Sequence, residues 1–243
     1  YHYQQLAVIR ILETNAQLIA FDTGIGKGAV AIDALRLTWQ AQSRAIIICP
    51  ASKVDEWVEE IPRFWPRCPL IETVEAKGVL RVMRVATTDA DGWIDYPERS
   101  EIIIISFGKV YALKEQTFTH LVIDEAHYLK NPKSERAKLI RDMLEANPRA
   151  QRIFLTATPI ADDPSDLWNV LDLLNPGRFG EKPYKFLDRY CSKEIKSFVK
   201  DGEPRKATRF FGMNEANADE LSARLTHVAI RVTKEEAAPW LPA

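Results

Sequence analysis

Cysteine is scarce. The chain has three, Cys49, Cys68 and Cys191, far apart and without a CxxC pair, which argues against a disulfide framework and, with no histidine at ligand spacing, against a zinc site. A reducing compartment suits that usage. Charge of one sign is lacking too: 33 Lys and Arg face 34 Asp and Glu, for a formal net charge of -1 and a pI near 6.5. The molecule is no polycation, so any grip on nucleic acid has to come from local patches. No apolar run approaches the length of a membrane span, and no basic region leads into an apolar stretch and a cleavage site at the N-terminus. The chain reads as soluble and intracellular, with no membrane partner, and a nucleus is not distinguished from a bacterial or phage-infected cytoplasm. Internal repeats and low-complexity tracts are missing as well.

What is present is core. The 243 residues are 46% hydrophobic, enough for one substantial interior at the upper end of single-domain size. The chain opens with a strand-like run, and short apolar β-favouring runs recur at Gln17 to Phe21, Ala45 to Cys49, Glu101 to Ser106, His120 to Asp124 and Arg152 to Thr156. They are continuous rather than alternating, which predicts strands covered on both faces of a parallel sheet. Between them, Val54, Trp57, Val58, Ile61 and Trp65 repeat at helical spacing, as do Ala137, Ile140, Met143 and Leu144, and Leu167, Val170, Leu171 and Leu174 after Asp163-Pro164. The three tryptophans on these stripes, Trp57, Trp65 and Trp168, read as core packing. Strands alternating with such helices predict right-handed crossovers and an α/β layered fold, with ligands at the carboxyl ends of strands. The polar stretch from Ala86 to Ser100 reads as a surface loop holding a short hairpin around Asp91-Gly92. From about Tyr184 to Ala218 the periodicity fades, leaving an insertion or a strand pair, and the basic and aromatic run Lys196 to Phe211 reads equally as a DNA contact or a solvated face.

Three strand ends carry chemistry. "FDTGIGKGAVAI", Phe21 to Ile32, is a strand, a glycine-rich turn and a helix start. In that context backbone N–H groups converge on an anion at the helix N-terminus, Gly24 and Gly26 allow positive φ, and Lys27 reaches the outer phosphates. "LVIDEAHYLKN", Leu121 to Asn131, ends a strand in two carboxylates. Downstream of a phosphate loop in the same sheet, that pair sets Asp124 on Mg²⁺ and Glu125 on the attacking water. "LTATP", Leu155 to Pro159, ends the next strand with two hydroxyls, Thr156 and Thr158, within reach of the acidic pair or the γ-phosphate.

Lys27, Asp124-Glu125-Ala126-His127 (a DEAH box) and Leu155-Thr156-Ala157-Thr158-Pro159 resemble motifs I, II and III of a superfamily 2 helicase, and the chain most resembles the Snf2 (SWI2/SNF2) ATPases over almost its full length. "YQQLAVIRIL" is similar to the family's adenine-side segment, "IIICPASKVDEWVEEIPRF" to motif Ia, "IIIISF" to motif Ib, and "LSARLTHVAIRVTKEEAAPWLP" to the segment that closes the first lobe, with Arg231 and Lys234 at its basic positions. The resemblance implies a RecA-like P-loop NTPase lobe, mostly parallel sheet with helices on both faces. It implies one helicase ATP-binding domain over 1–243, an insertion or lobe-closing segment at 184–243, and the second lobe absent. It implies ATP and Mg²⁺ as cofactors, Gln4 reading adenine, and a nucleotide loop of Asp22, Thr23, Gly24, Ile25, Gly26, Lys27 and Gly28. His127 is implied to couple the nucleotide site to motif III. For nucleic acid the positions that match are Ser52, Lys53, Ser106 and Lys130, gripping a double-stranded DNA backbone without sequence preference and with steep salt dependence.

Two departures stand out. The family's Met before the first loop glycine is Thr23, and the Thr after the lysine, whose hydroxyl ligates Mg²⁺, is Gly28. With no hydroxyl there, the ion keeps an additional water and relies on Asp124 and the phosphates, so metal coordination is expected to be weaker. The family's arginine finger comes from a second RecA-like lobe, in cis or in trans, and its loss costs roughly 10³ to 10⁵ in rate. The expectation is therefore an ATP hydrolase, weak by itself, forming the first lobe of a duplex-stimulated translocase. The alternatives are a lobe of a strand-separating DEAH-type helicase, and a hydrolysis-deficient docking module for DNA or protein.

Overall fold

Ile46, Ile47 and Ile48 are adjacent in the chain and fully buried, yet they feed two separate cores. Ile46 and Ile48 join Leu18, Ile103, Leu121 and Phe154 on one side, while Ile47 joins Ile19, Ile104, Val122 and Ile153 on the other. Successive strand side chains point to opposite faces, so an unbroken apolar run is what a sheet covered on both sides requires.

The computed structural model describes residues 1–40, 42–66, 70–76, 80–85, 87–88, 94–95, 100–113, 116–157, 164–180, 182–200 and 203–237, with backbone alone for those between 70 and 95 and for 199, 200 and 204. Helix α1 (His2–Thr14) is followed by β1 (Ala16–Phe21), α2 (Lys27–Thr38), β2 (Arg44–Cys49) and α3 (Val54–Phe64). Next come β3 (Leu70–Ala76), β4 (Leu80–Val85), the short strands β5 (Thr87–Thr88) and β6 (Ile94–Asp95), β7 (Glu101–Ser106) and β8 (His120–Ile123). After these lie α4 (Glu135–Ala146), β9 (Gln151–Thr156), α5 (Trp168–Leu174) and α6 (Pro183–Tyr190). The remaining elements are β10 (Cys191–Lys200), β11 (Glu203–Met213), α7 (Ala218–Leu225), β12 (Ala229–Val232) and α8 (Lys234–Ala237).

The main sheet has the order β12-β1-β9-β8-β2-β7-β4-β3. Its first six strands run parallel; β4 lies antiparallel to β7, and β3 to β4. Helices α1, α2 and α3 cover one face through Ile11, Leu35 and Ile61, and α4 and α5 cover the other through Ile140 and Leu171. The expected α/β fold with helices on both faces is therefore present. Trp57, Trp65 and Trp168 are buried within it, as their stripes predicted.

Three local expectations change. Regular structure opens on a helix rather than on the strand-like run: Ala7, Val8 and Ile11 are buried, while Leu6, Ile9 and Leu12 face outward, so apolar residues on both sides blur the helical period. Helix α6 occupies the start of the stretch where periodicity fades, held by Phe186 and Tyr190, one turn apart and both buried. Beyond it the strand-pair alternative holds, since β10 and β11 pair antiparallel from Ser192 opposite Phe211 to Lys200 opposite Glu203. Strand β12 adds to the edge of the main sheet, parallel to β1. Strands β5 and β6 also pair antiparallel, and Asp91 and Gly92 lie outside the described residues.

Strand order positions the site. The chain runs from β1 outward to β2 and β7, then returns to insert β8 and β9 between β2 and β1. At about 4.8 Å per strand, the carboxyl ends of β1 and β8 stand about 10 Å apart with β9 between them.

Candidate active site

Residues 22–26 join β1 to α2. Gly24 and Gly26 take φ of 85° and 89°, a region that a Cβ makes costly. Helix α2 begins at Lys27 with Gly26 as its cap and no capping side chain, so its first N–H groups open toward the loop. Gly26 also makes room for a neighbour: a Cβ there would overlap Gln4 Nε2 and lie 3.4 Å from Gln4 Cδ. Gln4 Nε2 donates to the Ile25 carbonyl at 3.2 Å, and Tyr3 Oη donates to the same oxygen at 3.0 Å. Helix α1 thereby pins the loop. Beside it lies a cavity of about 830 Å³, with Tyr1, Gln4, Gly24, Val30, Arg63 and Phe64 in its wall. Asp22 closes the other side, its Oδ2 accepting from the Lys234 backbone N–H at 2.9 Å. Thr23 is exposed.

The Lys27 ammonium is buried and donates to the carbonyls of Phe21 at 2.9 Å and Asp22 at 3.1 Å. Burial pushes its pKa below the lysine range, and Glu125 is the strongest opposing influence, ahead of Asp124 and Asp22. Asp124, buried at the end of β8, accepts from the Trp57 indole N–H at 3.1 Å and stands 3.4 Å from Lys53 Nζ. Glu125 follows with φ of 58°, a left-handed conformation that costs a non-glycine residue about 1 kcal/mol and turns the chain sharply off the strand. Its Oε1 lies 3.4 Å from Lys53 Nζ and its Oε2 lies 3.3 Å from His127 Nδ1. Lys53 therefore bridges both acids. Burial lowers its pKa, but Asp124 and then Glu125 outweigh that and hold it above the usual lysine range.

The remaining sequence-predicted residues fall as follows. Thr156 is buried at the end of β9, in register with Ala20 of β1 and so beneath the glycine loop; Thr158 lies outside the described residues. The His127 side chain is 42% exposed, its ring 4.8 Å from that of Tyr128. Ser52 is exposed, Ser106 is buried at the end of β7, and Lys130 is exposed and paired with Asp166 at 2.8 Å. Cys49 and Cys191 are buried, and burial pushes the Cys49 thiol up to about 12.

Two residues escaped the sequence reading. Trp57 belongs to the packing stripe, yet its N–H holds Asp124. Glu60, one turn further along α3, brings its carboxylate to Gly28: a Cβ built on Gly28 would overlap Glu60 Oε2 and lie 3.6 Å from Glu60 Cδ. Burial, then Glu56 and Asp124, raise the Glu60 pKa. The only prior signal was the i, i+3 spacing of Trp57 and Glu60. Among the described residues no group of three or more His, Cys, Asp or Glu side chains is arranged to hold a metal. One carboxylate supplemented by phosphate oxygens and water is nevertheless a donor set that suits Mg²⁺ and not zinc; Asp124 fits that part, and Gly28 offers nothing to it. Among the described residues no helix is long and apolar enough to cross a membrane.

Comparison with known proteins places this geometry in context. The SNF2-related domain family matches residues 1–242. The human DNA annealing helicase and endonuclease ZRANB3 is 26% identical over 249 aligned residues, which cover 99% of this chain and 21% of that protein. The ISWI chromatin-remodeling complex ATPase ISW2 of Saccharomyces cerevisiae is 29% identical over 171 residues, covering 68% of this chain and 14% of its own. The Sulfolobus solfataricus SWI2/SNF2 ATPase core in complex with dsDNA superposes with a TM-score of 0.68 at 22% identity, covering 97% of this chain and 44% of that one. That likeness shows the RecA-like fold. The chain spans about a fifth of the length of its first curated relatives.

Proposed function

The chain belongs to the SNF2-related family, and from that premise we propose that it is the first ATPase lobe of a double-stranded-DNA translocase, a single ATP-binding domain over 1–243. Support comes chiefly from one relationship: Lys27 and the Asp124-Glu125 pair, about a hundred positions apart in sequence, follow the carboxyl ends of β1 and β8, two strands of one sheet with only β9 between them, and Lys53 stands 3.4 Å from both carboxylates. Adenine sits beside Gln4, and the loop of Asp22, Thr23, Gly24, Ile25, Gly26, Lys27 and Gly28 takes the phosphates on backbone N–H groups and the Lys27 ammonium. Magnesium, when bound, neutralises charge on the outer phosphates, with Asp124 as its protein ligand. Glu125 Oε1 or Oε2 accepts the hydrogen bond that orients the attacking water, and Lys53 and His127 hold that carboxylate in place. Thr156 and Thr158 are assigned hydrogen bonds to the acidic pair or to the γ-phosphate.

The reading requires a second RecA-like lobe for the arginine finger, so turnover by this lobe alone is slow. Duplex DNA is held through its backbone by Ser52, Lys53, Ser106 and Lys130, with Ser52 and Lys130 the most accessible. Although residues 124–127 spell Asp-Glu-Ala-His, the family to which the chain belongs does not favour a strand-separating DEAH-type helicase. The test is equilibrium titration with a fluorescent ATP analogue, with and without Mg²⁺. It is paired with phosphate release in the presence of duplex DNA, before and after a second lobe is supplied. Saturable Mg²⁺-dependent binding and duplex-stimulated release are expected; absence of both would leave only the docking-module alternative.

A further inference from the structure

Position 28 is where a phosphate loop of this kind places a hydroxyl, and here the space is occupied from elsewhere. A Cβ on Gly28 would run into Glu60 Oε2, lie 3.6 Å from Glu60 Cδ and lie 3.9 Å from Trp57 Cη2. Both residues come from α3, and the Trp57 indole N–H is bonded to Asp124 Oδ2 at 3.1 Å. The carboxylate nearest the missing hydroxyl and the indole nitrogen bonded to the expected metal ligand therefore belong to one helix, α3.

We propose that Glu60 is a positioning residue for magnesium, its carboxylate replacing the hydroxyl that Gly28 lacks by accepting hydrogen bonds from a water retained on the ion. The inference rests on the nucleotide-binding reading above and deepens it. Mg²⁺ gives up water reluctantly and readily keeps several. A retained water is a strong donor, and a carboxylate is the acceptor that orients it best. Charge balance points the same way: Asp22, Glu56, Glu60, Asp124 and Glu125 oppose Lys27, Lys53 and Arg63, five carboxylates to three cations, so a divalent cation relieves a local excess of negative charge. The two solutions also exclude each other in space, because a side chain at position 28 pushes the Glu60 carboxylate aside. Glycine at 28 and glutamate at 60 form a pair.

The decisive measurement is the Mg²⁺ concentration for half-maximal binding of a fluorescent, non-hydrolysable ATP analogue to the 243-residue chain, with affinity in excess EDTA and melting temperature recorded alongside. Glu60→Gln keeps the shape and removes the charge; it should raise the Mg²⁺ requirement about 10- to 100-fold without moving the EDTA value. Gly28→Ala should raise it too while improving helix propensity, so unfolding is no explanation for that loss. In the double variant Gly28→Thr/Glu60→Gln the requirement should return toward the native value, since the hydroxyl then replaces the carboxylate. Unchanged Mg²⁺ dependence in Glu60→Gln, or equal losses with and without Mg²⁺, would overturn the proposal. If the native chain binds no nucleotide, the functional reading falls with it. If the native chain binds and only Asp124→Asn loses the Mg²⁺ response, the functional reading stands and the Glu60 inference falls.

Discussion

The Trp57 indole N–H donates to Asp124 Oδ2 at 3.1 Å, and both residues are buried. A side chain on the packing stripe of α3 thus also fixes the carboxylate assigned to the metal. Trp57→Phe keeps most of the apolar surface and deletes only that donor, leaving Asp124 with Lys53 as its neighbour. The variant should lose about 1.5 to 3 kcal/mol in urea denaturation, the usual worth of a buried hydrogen bond to a charged group. Its Mg²⁺-dependent nucleotide affinity should fall about tenfold. A stability loss with native Mg²⁺ dependence would assign Trp57 to packing alone.

Lys27 is expected to behave in the opposite way. Its ammonium is buried against two carbonyls, at 2.9 and 3.1 Å, and burial already disfavours its charge. Lys27→Met retains the length of the stem and removes the desolvated charge, while two carbonyls lose their donor. These effects oppose each other, and stability should stay within about 1 kcal/mol. Nucleotide affinity should drop far more, because nothing else in the loop carries a positive charge to the outer phosphates. A large loss of melting temperature would show that the lysine serves the fold.

These two residues illustrate what the sequence makes visible. The strands around the site are legible because Ile46 to Ile48 and Ile102 to Ile105 must be apolar without interruption to feed cores on both faces. The glycine loop and the acidic pair are legible because their chemistry is local: positive φ, a helix N-terminus and a strand end lie within a few residues of each other. Glu60 is not legible in that way. Its meaning comes from a side chain missing at position 28, and only folding brings α3 against the start of α2. Helix α1 is obscured for another reason, since Leu6, Ile9 and Leu12 put apolar residues on its outer side.

Lys53 and Lys130 should separate the nucleotide and DNA roles. Lys130 is exposed, and its pairing with Asp166 at 2.8 Å is a surface contact of little strength. Lys130→Ala should weaken duplex binding and reduce the slope of log affinity against log salt by about one. Lys53 stands 3.4 Å from each carboxylate. Lys53→Ala should therefore change Mg²⁺-dependent nucleotide binding as well as any DNA affinity. A Lys130→Ala variant with native salt dependence would remove that residue from the proposed DNA surface.

Acid should weaken the fold through His120. The residue is 5% exposed, with Nε2 3.0 Å from Thr38 Oγ1, Nδ1 2.7 Å from Thr119 Oγ1, and its ring stacked on Trp39. Burial lowers its pKa from 6.5 to about 4, so the folded chain keeps the ring neutral where the unfolded chain protonates it. Between those two values the unfolded state binds the extra proton. Stability is then fully present above the upper value and is lost as pH falls toward the lower one, by about 3 kcal/mol over the window. Urea midpoints measured across it should decline more steeply for the native chain than for His120→Gln, whose neutral amide has nothing to titrate there. The variant should be the less stable of the two at neutral pH, because an amide replaces a stacked ring bonded at both nitrogens, and the two curves should approach each other in acid. Parallel curves would mean that His120 is protonated as readily in the folded chain as in the unfolded one, and that carboxylates alone set the acid limit.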